Sequence, residues 1–188
     1  TAMLQMKPDF IISASGGSCV VNFLKAIKTT GFAEKAAIYQ HNATELAALL
    51  PLGPEAPEGI MGTSNYHFYF PDTPENKTFV AKFKKAYNRY PRSTALYGYI
   101  AGTFMARAYQ KAGKMDREKF IDSIEGLTID SPVGKVTMRS CDHQVMLPMF
   151  FGVTKKDPRY DFLIASDIIT IPGKDYLPSC EDIAKLRK

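Results

Sequence analysis

PDFIISASGGSCVVNFLKAIKTTG, residues 8–31, is the stretch from which the architecture is read. From Asp9 to Ala14 the side chains form a short, mostly apolar run of strand length. Ser15, Gly16, Gly17 and Ser18 interrupt it, and Val20, Phe23, Leu24 and Ile27 then recur at helical spacing. The order is strand, tight turn, helix, and Gly31 stands where a left-handed residue closes a helix.

Downstream, Ala36 to Tyr39 begin a second strand. Asn42 is placed to cap a following helix, with Glu45 reaching back as in a capping box and Pro51 ending it. Gly59 to Phe70 read as a third strand. Strands alternating with helices at such short intervals imply parallel strands joined by crossover helices, an α/β arrangement.

Past Pro71 the texture changes. Thr73 and Pro74 open a helix with Phe79, Phe83, Tyr87 and Tyr90 on one stripe, ending at Tyr90-Pro91. Ser93 or Thr94 caps another, running through Ala95, Tyr99, Thr103, Ala106 and Tyr109 to Gly113; it is apolar on most faces and so is expected to be packed on several sides. A short helix from Arg117 to Glu125 leads to Ser131-Pro132-Val133-Gly134 and an extended stretch, Lys135 to Arg139. Strands follow near Met146 to Val153 and Phe162 to Ile169, and Ser179 with Asp182 caps a last helix.

With 188 residues, 45% of them apolar and 23% charged, the composition is that of an ordinary globular chain with enough apolar material for a core. The net charge of +5 comes from helix-face cations such as Lys82, Lys84, Lys85 and Arg89, without the interleaved basic and aromatic strip of a nucleic-acid binder. No apolar stretch approaches the ~20 residues that span a bilayer. The first residues, TAMLQMKPDF, lack the basic and apolar regions of a signal peptide, as a mature chain, a trimmed chain or a fragment would.

The three cysteines, Cys19, Cys141 and Cys180, include no Cys-x-x-Cys pair, which argues against zinc and iron–sulfur frameworks. Cys19 falls inside the helical apolar pattern and reads as a buried thiol. Cys141 and Cys180 lie in polar, loop-like surroundings that suit a bridge. His67 and His143 have no second histidine or carboxylate at ligand spacing, so no metal site is expected and the two read as structural or surface residues. Asn42-Ala43-Thr44 and Asn76-Lys77-Thr78 match glycosylation sequons, a pattern short enough to occur by chance.

The turn from Ser15 to Ser18 carries the first binding expectation. Between a strand and a helix, backbone N–H groups converge with the positive helix end, a setting for a carboxylate or phosphate. Glycine there also simply permits a tight turn, and no full G-x-G-x-x-G or G-K-[ST] pattern is present. His41, at the end of the second strand, shares that sheet edge and is a candidate ligand contact or a solvated cap. Tyr97 and Tyr99 begin their helix either as core or as aromatic lining of a cleft. Cys19 has no nameable base, so no catalytic residue is assigned.

The succession PDFIISASGGS, KTTGF, GIMGTSNYHFYF, FVAKFKKAYNRYPRSTALYGYIAGTFMARA and VTMRSCDHQVMLPMFFGVTK resembles the type I periplasmic binding family, in its leucine/isoleucine/valine-binding branch, over nearly the whole chain. The most specific parts are the helix pair around Tyr99 and the run Arg139-Ser140-Cys141-Asp142-His143-Gln144. The resemblance implies parts of two doubly wound parallel-sheet lobes that trap a small solute as they close. Residues 1–66 would be a second-lobe segment, 67–140 a first-lobe helical segment, and 141–188 the strands returning to the second lobe with a C-terminal helix. The family's first half has no counterpart here, so the first-lobe pieces are expected to expose a patch, rearrange or pair with another chain.

The resemblance further implies ligand contacts at Ser15, Gly16, Gly17 and Ser18, then Gln40 and His41, with Tyr97 or Tyr99 opposite. Cysteines at positions like Cys141 and Cys180 are bridged in that branch. Leucine-binding members place a carboxylate for the ligand's ammonium group; Gln40-His41-Asn42 departs from that and leaves room for an aromatic or other carboxylic acid. The implied function is extracytoplasmic or periplasmic capture of such a solute, without cofactor, metal or chemical step, for delivery to an ABC permease in the membrane. A ligand-sensing regulatory domain is the alternative on the same scaffold, and an enzyme using the Ser15 to Cys19 turn is a third reading.

Overall fold

The computed structural model describes residues 5–187; residues 1–4, on which part of the leader reading falls, and residue 188 lie outside the described residues. The chain divides into one unit formed by Thr1–His67 and Met149–Thr170, and another formed by Phe68–Pro148 and Ile171–Lys188.

In the first unit, helix α1 (Ser18–Thr30) buries Val20, Leu24 and Ile27, one stripe of its surface. They enter a core with Phe32, Ile38, Leu49, Leu52, Ile60 and Leu163. Each buried aliphatic side chain contributes about 1.5–3 kcal/mol. That stripe, more than intrinsic propensity, holds a helix this short in place. Gly31 closes it at φ 62° and ψ 25°, donating its N–H to the carbonyls of Ile27 and Lys28.

The chain's strands are β1 (Phe10–Ser13), β2 (Ala37–Gln40), β3 (Met61–Ser64), β4 (Thr128–Ser131), β5 (Gly134–Thr137), β6 (Met149–Lys155) and β7 (Ile164–Ile171). Five of them form a sheet in the order β1-β2-β3-β6-β7. β1 and β2 pair in parallel from Phe10↔Ala37 to Ser13↔Gln40, and β3 runs parallel to β2. β6 lies antiparallel to β3, with Met61 opposite Val153 and Ser64 opposite Phe150. The fold is therefore α/β with a mixed sheet whose first three strands end on one edge.

In the first unit three elements depart from their local patterns. The third strand stops at Ser64 rather than Phe70, because the Ser64 hydroxyl accepts from the Tyr66 N–H at 3.0 Å and turns the chain out of line. The capping box at Asn42 does not form: the Asn42 N–H donates to Gln40 Oε1 at 2.8 Å, while Glu45 Oε1 accepts from Ser64 Oγ at 2.9 Å. Glu45 occupies the N-cap position of the single-turn helix α2 (Leu46–Leu49) without a side-chain cap bond. Cys19 is exposed instead of buried, because it falls beside the Val20, Leu24 and Ile27 stripe and not on it.

The second unit is helical. Helix α3 (Pro74–Tyr87) is capped by Thr73, whose side chain accepts from the Asn76 N–H, and it ends where Asn88 turns left-handed at φ 50°. Tyr90 thus leaves the expected stripe and stacks on Phe68, ring centroids 3.9 Å apart. Helix α4 (Ser93–Ala112) begins with Ser93 inside the helix and Arg92 as its cap. Only Ser93, Leu96, Ile100, Phe104 and Ala108, one row four residues apart with a single step of three at most, are buried, so the expectation of packing on several sides gives way to one buried face. Helix α5 (Arg117–Ile124) packs on α4, the β4–β5 hairpin follows it, and α6 (Cys180–Leu186) is capped by Ser179.

A disulfide joins Cys141 to Cys180 across 39 residues. Beside it Arg139 is buried, its Nε 3.1 Å from Asp142 Oδ1 and its Nη2 3.3 Å from Cys141 Sγ.

Two substitutions test this account. A Cβ on Gly62 would sit 2.9 Å from the Gln40 carbonyl oxygen and 3.0 Å from Ala43 Cβ, so only glycine lets the 40–44 loop lie on β3. Gly62→Ala is expected to cost about 1–3 kcal/mol of stability in urea unfolding. An unchanged midpoint would show that the loop yields freely. Replacing Cys141 and Cys180 with serine removes a loop closure worth up to about 4 kcal/mol at this length. It should lower the unfolding midpoint of the oxidised protein clearly, and a midpoint equal to the parent's would refute that role.

Candidate functional site

β1, β2 and β3 finish at Ser13, Gln40 and Ser64, and the segments leaving them form one polar row on the sheet edge. After β1 the chain passes through Ser15 and Gly16 to Gly17, which adopts φ 61° and ψ −139° as it enters α1. A side chain at that φ would be strained, so glycine suits the entry into α1, whose first N–H groups have no intrahelical partners. Gly16, Gly17 and Ser18 are exposed and Ser15 is partly buried. This is an anion-favouring arrangement: unpaired N–H groups and the positive end of a helix of 13 residues share one opening.

Gln40 is fully buried and works as a strut, not as a contact surface. Its Nε2 donates to the Ser15 carbonyl at 2.7 Å, and its Oε1 accepts from the Asn42 N–H at 2.8 Å. The backbone adds a bond from the His41 N–H to the Ser13 carbonyl at 2.9 Å. The turn after β1 and the loop after β2 are therefore fixed to each other by one amide.

His41 is exposed on that loop. Its Nδ1 lies 3.2 Å from Thr63 Oγ1 on β3, and the Thr63 hydroxyl also reaches the His41 carbonyl at 2.9 Å. Tyr39 Oη lies 3.1 Å from the same hydroxyl, and the Tyr39 ring stacks on Phe151 of β6 at 6.3 Å. The structure thus brings Ser15, Gly16, Gly17, Ser18, Gln40 and His41 together within the first unit. Tyr97 and Tyr99 belong to the second unit, on α4, 39% and 45% exposed. There Tyr99 packs on Phe79 at 5.1 Å and helps line a hollow of about 460 Å³ with Phe83 and Tyr87.

Sequence reasoning missed Tyr39, Thr63, Ser64 and Glu45. The signal that could have found Thr63 and Ser64 was the strand end; placing it at Phe70 carried the edge past them. Among the described residues no group of three or more His, Cys, Asp or Glu side chains is arranged to hold a metal. No helix among them is long and apolar enough to cross a membrane.

The profile of the family described as "Periplasmic binding protein" matches residues 1–158. Among curated proteins, limonene hydroxylase of Geobacillus stearothermophilus is 28% identical over 128 residues, which is 65% of this chain and 22% of that protein. Among solved structures, an amino acid ABC transporter substrate-binding protein from Pseudomonas fluorescens Pf-5 has a TM-score of 0.81 at 21% identity, covering 96% of this chain and 48% of its own. An ABC transporter solute-binding protein from R. palustris, in complex with 4-hydroxybenzoate, has a TM-score of 0.76 at 22% identity, covering 89% of this chain and 46% of its own. The chain spans about a fifth of the curated protein and just under half of these structures. The matching family is described as periplasmic binding proteins, and both structures are named as solute-binding proteins of ABC transporters.

His67, three residues beyond the end of β3, is buried, 6.1 Å from the Phe150 ring. Burial pushes its pKa down to about 4. Because the unfolded chain takes up that proton near pH 6.5 and the folded chain only near 4, stability is lost as pH falls through this window, by up to ~3 kcal/mol. Urea midpoints measured from pH 7 to pH 4.5 should fall less steeply in His67→Gln than in the parent. Parallel curves would show that the imidazole titrates freely in the folded state.

Proposed function

The chain belongs to the periplasmic binding protein family, and we propose that it serves an ABC importer as an extracytoplasmic solute-binding protein, taking a small carboxylate: an amino acid or an aromatic acid. The observation that carries this reading is the exposed strand-end row. The Gly16 to Ser18 N–H groups at the start of α1 and the His41 imidazole open on one edge, and buried Gln40 braces the two. A carboxylate fits the α1 end by charge and by hydrogen-bond polarity. His41 then meets another part of the solute.

Ser15, Gly16, Gly17, Ser18 and His41 are the proposed contacts, with Gln40 as their support. Nothing in this row is set up to make or break a bond. Cys19 is exposed beside the turn as a free thiol. Capture is differential affinity for one conformation of the protein over another. Delivery to a membrane permease belongs to the same proposal.

A thermal-shift screen with 4-hydroxybenzoate, benzoate, leucine and other small carboxylates tests it. A true ligand at ~100 times its dissociation constant adds roughly 2.7 kcal/mol of stability. The expected result is a selective upward shift that Gly17→Ala abolishes while the protein remains folded. A folded protein shifted by no carboxylate at millimolar concentration would refute the reading.

A further inference from the structure

Thr63 Oγ1 has three polar neighbours: the His41 carbonyl oxygen at 2.9 Å, His41 Nδ1 at 3.2 Å and Tyr39 Oη at 3.1 Å. A hydroxyl supplies one proton and two lone pairs. The carbonyl can only accept, so the Thr63 proton is directed to it. Both other contacts must then be donated to Thr63, one by Tyr39 O–H and one by the ring N–H of His41. The hydroxyl is saturated, and the donors' identities follow from counting.

In the neutral ring this places the proton on Nδ1 and leaves Nε2 as a bare acceptor. Neighbouring strands hold the device still. Thr63 is buried on β3 and pairs across to Phe151 of β6, on whose ring Tyr39 of β2 stacks with the planes 6° apart. We propose that Tyr39 and Thr63 are positioning residues that lock His41 as its Nδ1–H tautomer, and that its Nε2 therefore selects solutes presenting a hydrogen-bond donor, a hydroxyl or an ammonium group. The selectivity rests on the binding role proposed above; the tautomer does not.

Two measurements separate these parts. In ¹⁵N-histidine-labelled protein without solute, at a pH where the ring is neutral, His41 should show a protonated Nδ1 and an unprotonated Nε2, with its signals identified by their loss in His41→Gln. Thr63→Val should move the population toward Nε2–H, and Thr63→Ser should keep the parent pattern. An Nε2–H ring in the parent overturns the assignment whatever the protein binds.

Calorimetric titration then compares 4-hydroxybenzoate with benzoate, which reads a hydroxyl donor, and leucine with 4-methylpentanoate, which reads an ammonium donor. At least one donor-bearing partner should bind on the order of tenfold tighter than its donor-free analogue, the worth of one hydrogen bond. Thr63→Val should erase that ratio, and Thr63→Ser should keep it. Equal affinities within both pairs overturn the selectivity while the tautomer result stands. Binding of none of the four overturns the selectivity, while the wider carboxylate screen above decides the proposed function.

Discussion

One buried primary amide ties the proposed site together. Gln40 is out of contact with water, and a primary amide so placed is destabilising by several kcal/mol unless its donors and acceptor are met. They are met by the Ser15 carbonyl and hydroxyl oxygens and by the Asn42 N–H, groups belonging to two different strand exits. The satisfaction of the amide and the geometry of the row are thus the same fact. Loss of the register between β1 and β2 would leave both backbone groups and the amide unpaired at once, which makes the arrangement of the exposed turn nearly all-or-none.

That constraint works only because β3 can approach. Gly62 lets the 40–44 loop settle onto its backbone, and the loop's descent puts the His41 carbonyl within reach of both the N–H and the hydroxyl of Thr63. The sheet supports this from its far side through β6, whose Phe151 carries the Tyr39 ring. Polar groups at the edge are therefore oriented by apolar contacts one strand away, the usual way a rigid scaffold fixes the rotamers of a site.

What was legible in the chain was what is local. The strand, turn and helix around Ser15 to Gly31 announce themselves by run length, spacing and glycine, because each signal lies within a few residues of the structure it specifies. Antiparallel β6 was not legible as a neighbour of β3, since no pattern in Met149–Lys155 names its partner. Glu45 looked like a capping residue because its local spacing fits one; its carboxylate went to Ser64, 19 residues away. Thr63 escaped for the same reason, its partners lying 22 and 24 residues distant. The exposed flank of α4 misled in the other direction: apolar composition predicts burial only where a surface is present to bury against, and the unit's own elements cover just the Leu96, Ile100, Phe104 and Ala108 row.

The chemistry of the row also bears on what a carrier must do, which is to release its solute as well as hold it. Ser15 to Ser18 and Gln40 to Asn42 contain no lysine, arginine, aspartate or glutamate. In the proposed role an anionic solute would therefore meet oriented dipoles, about half a charge at a helix end, instead of a full opposite charge. Neutral groups cost less to leave unpaired when the solute departs than a buried ion would. Discrimination under those terms comes from the direction of each hydrogen bond. A donor that meets a donor leaves both unpaired, and the cost of that mismatch exceeds the gain from a correct pair. In the proposed role, a row of fixed donors and acceptors on one sheet edge would therefore separate solutes by polarity without presenting a full charge from lysine, arginine, aspartate or glutamate to hold them.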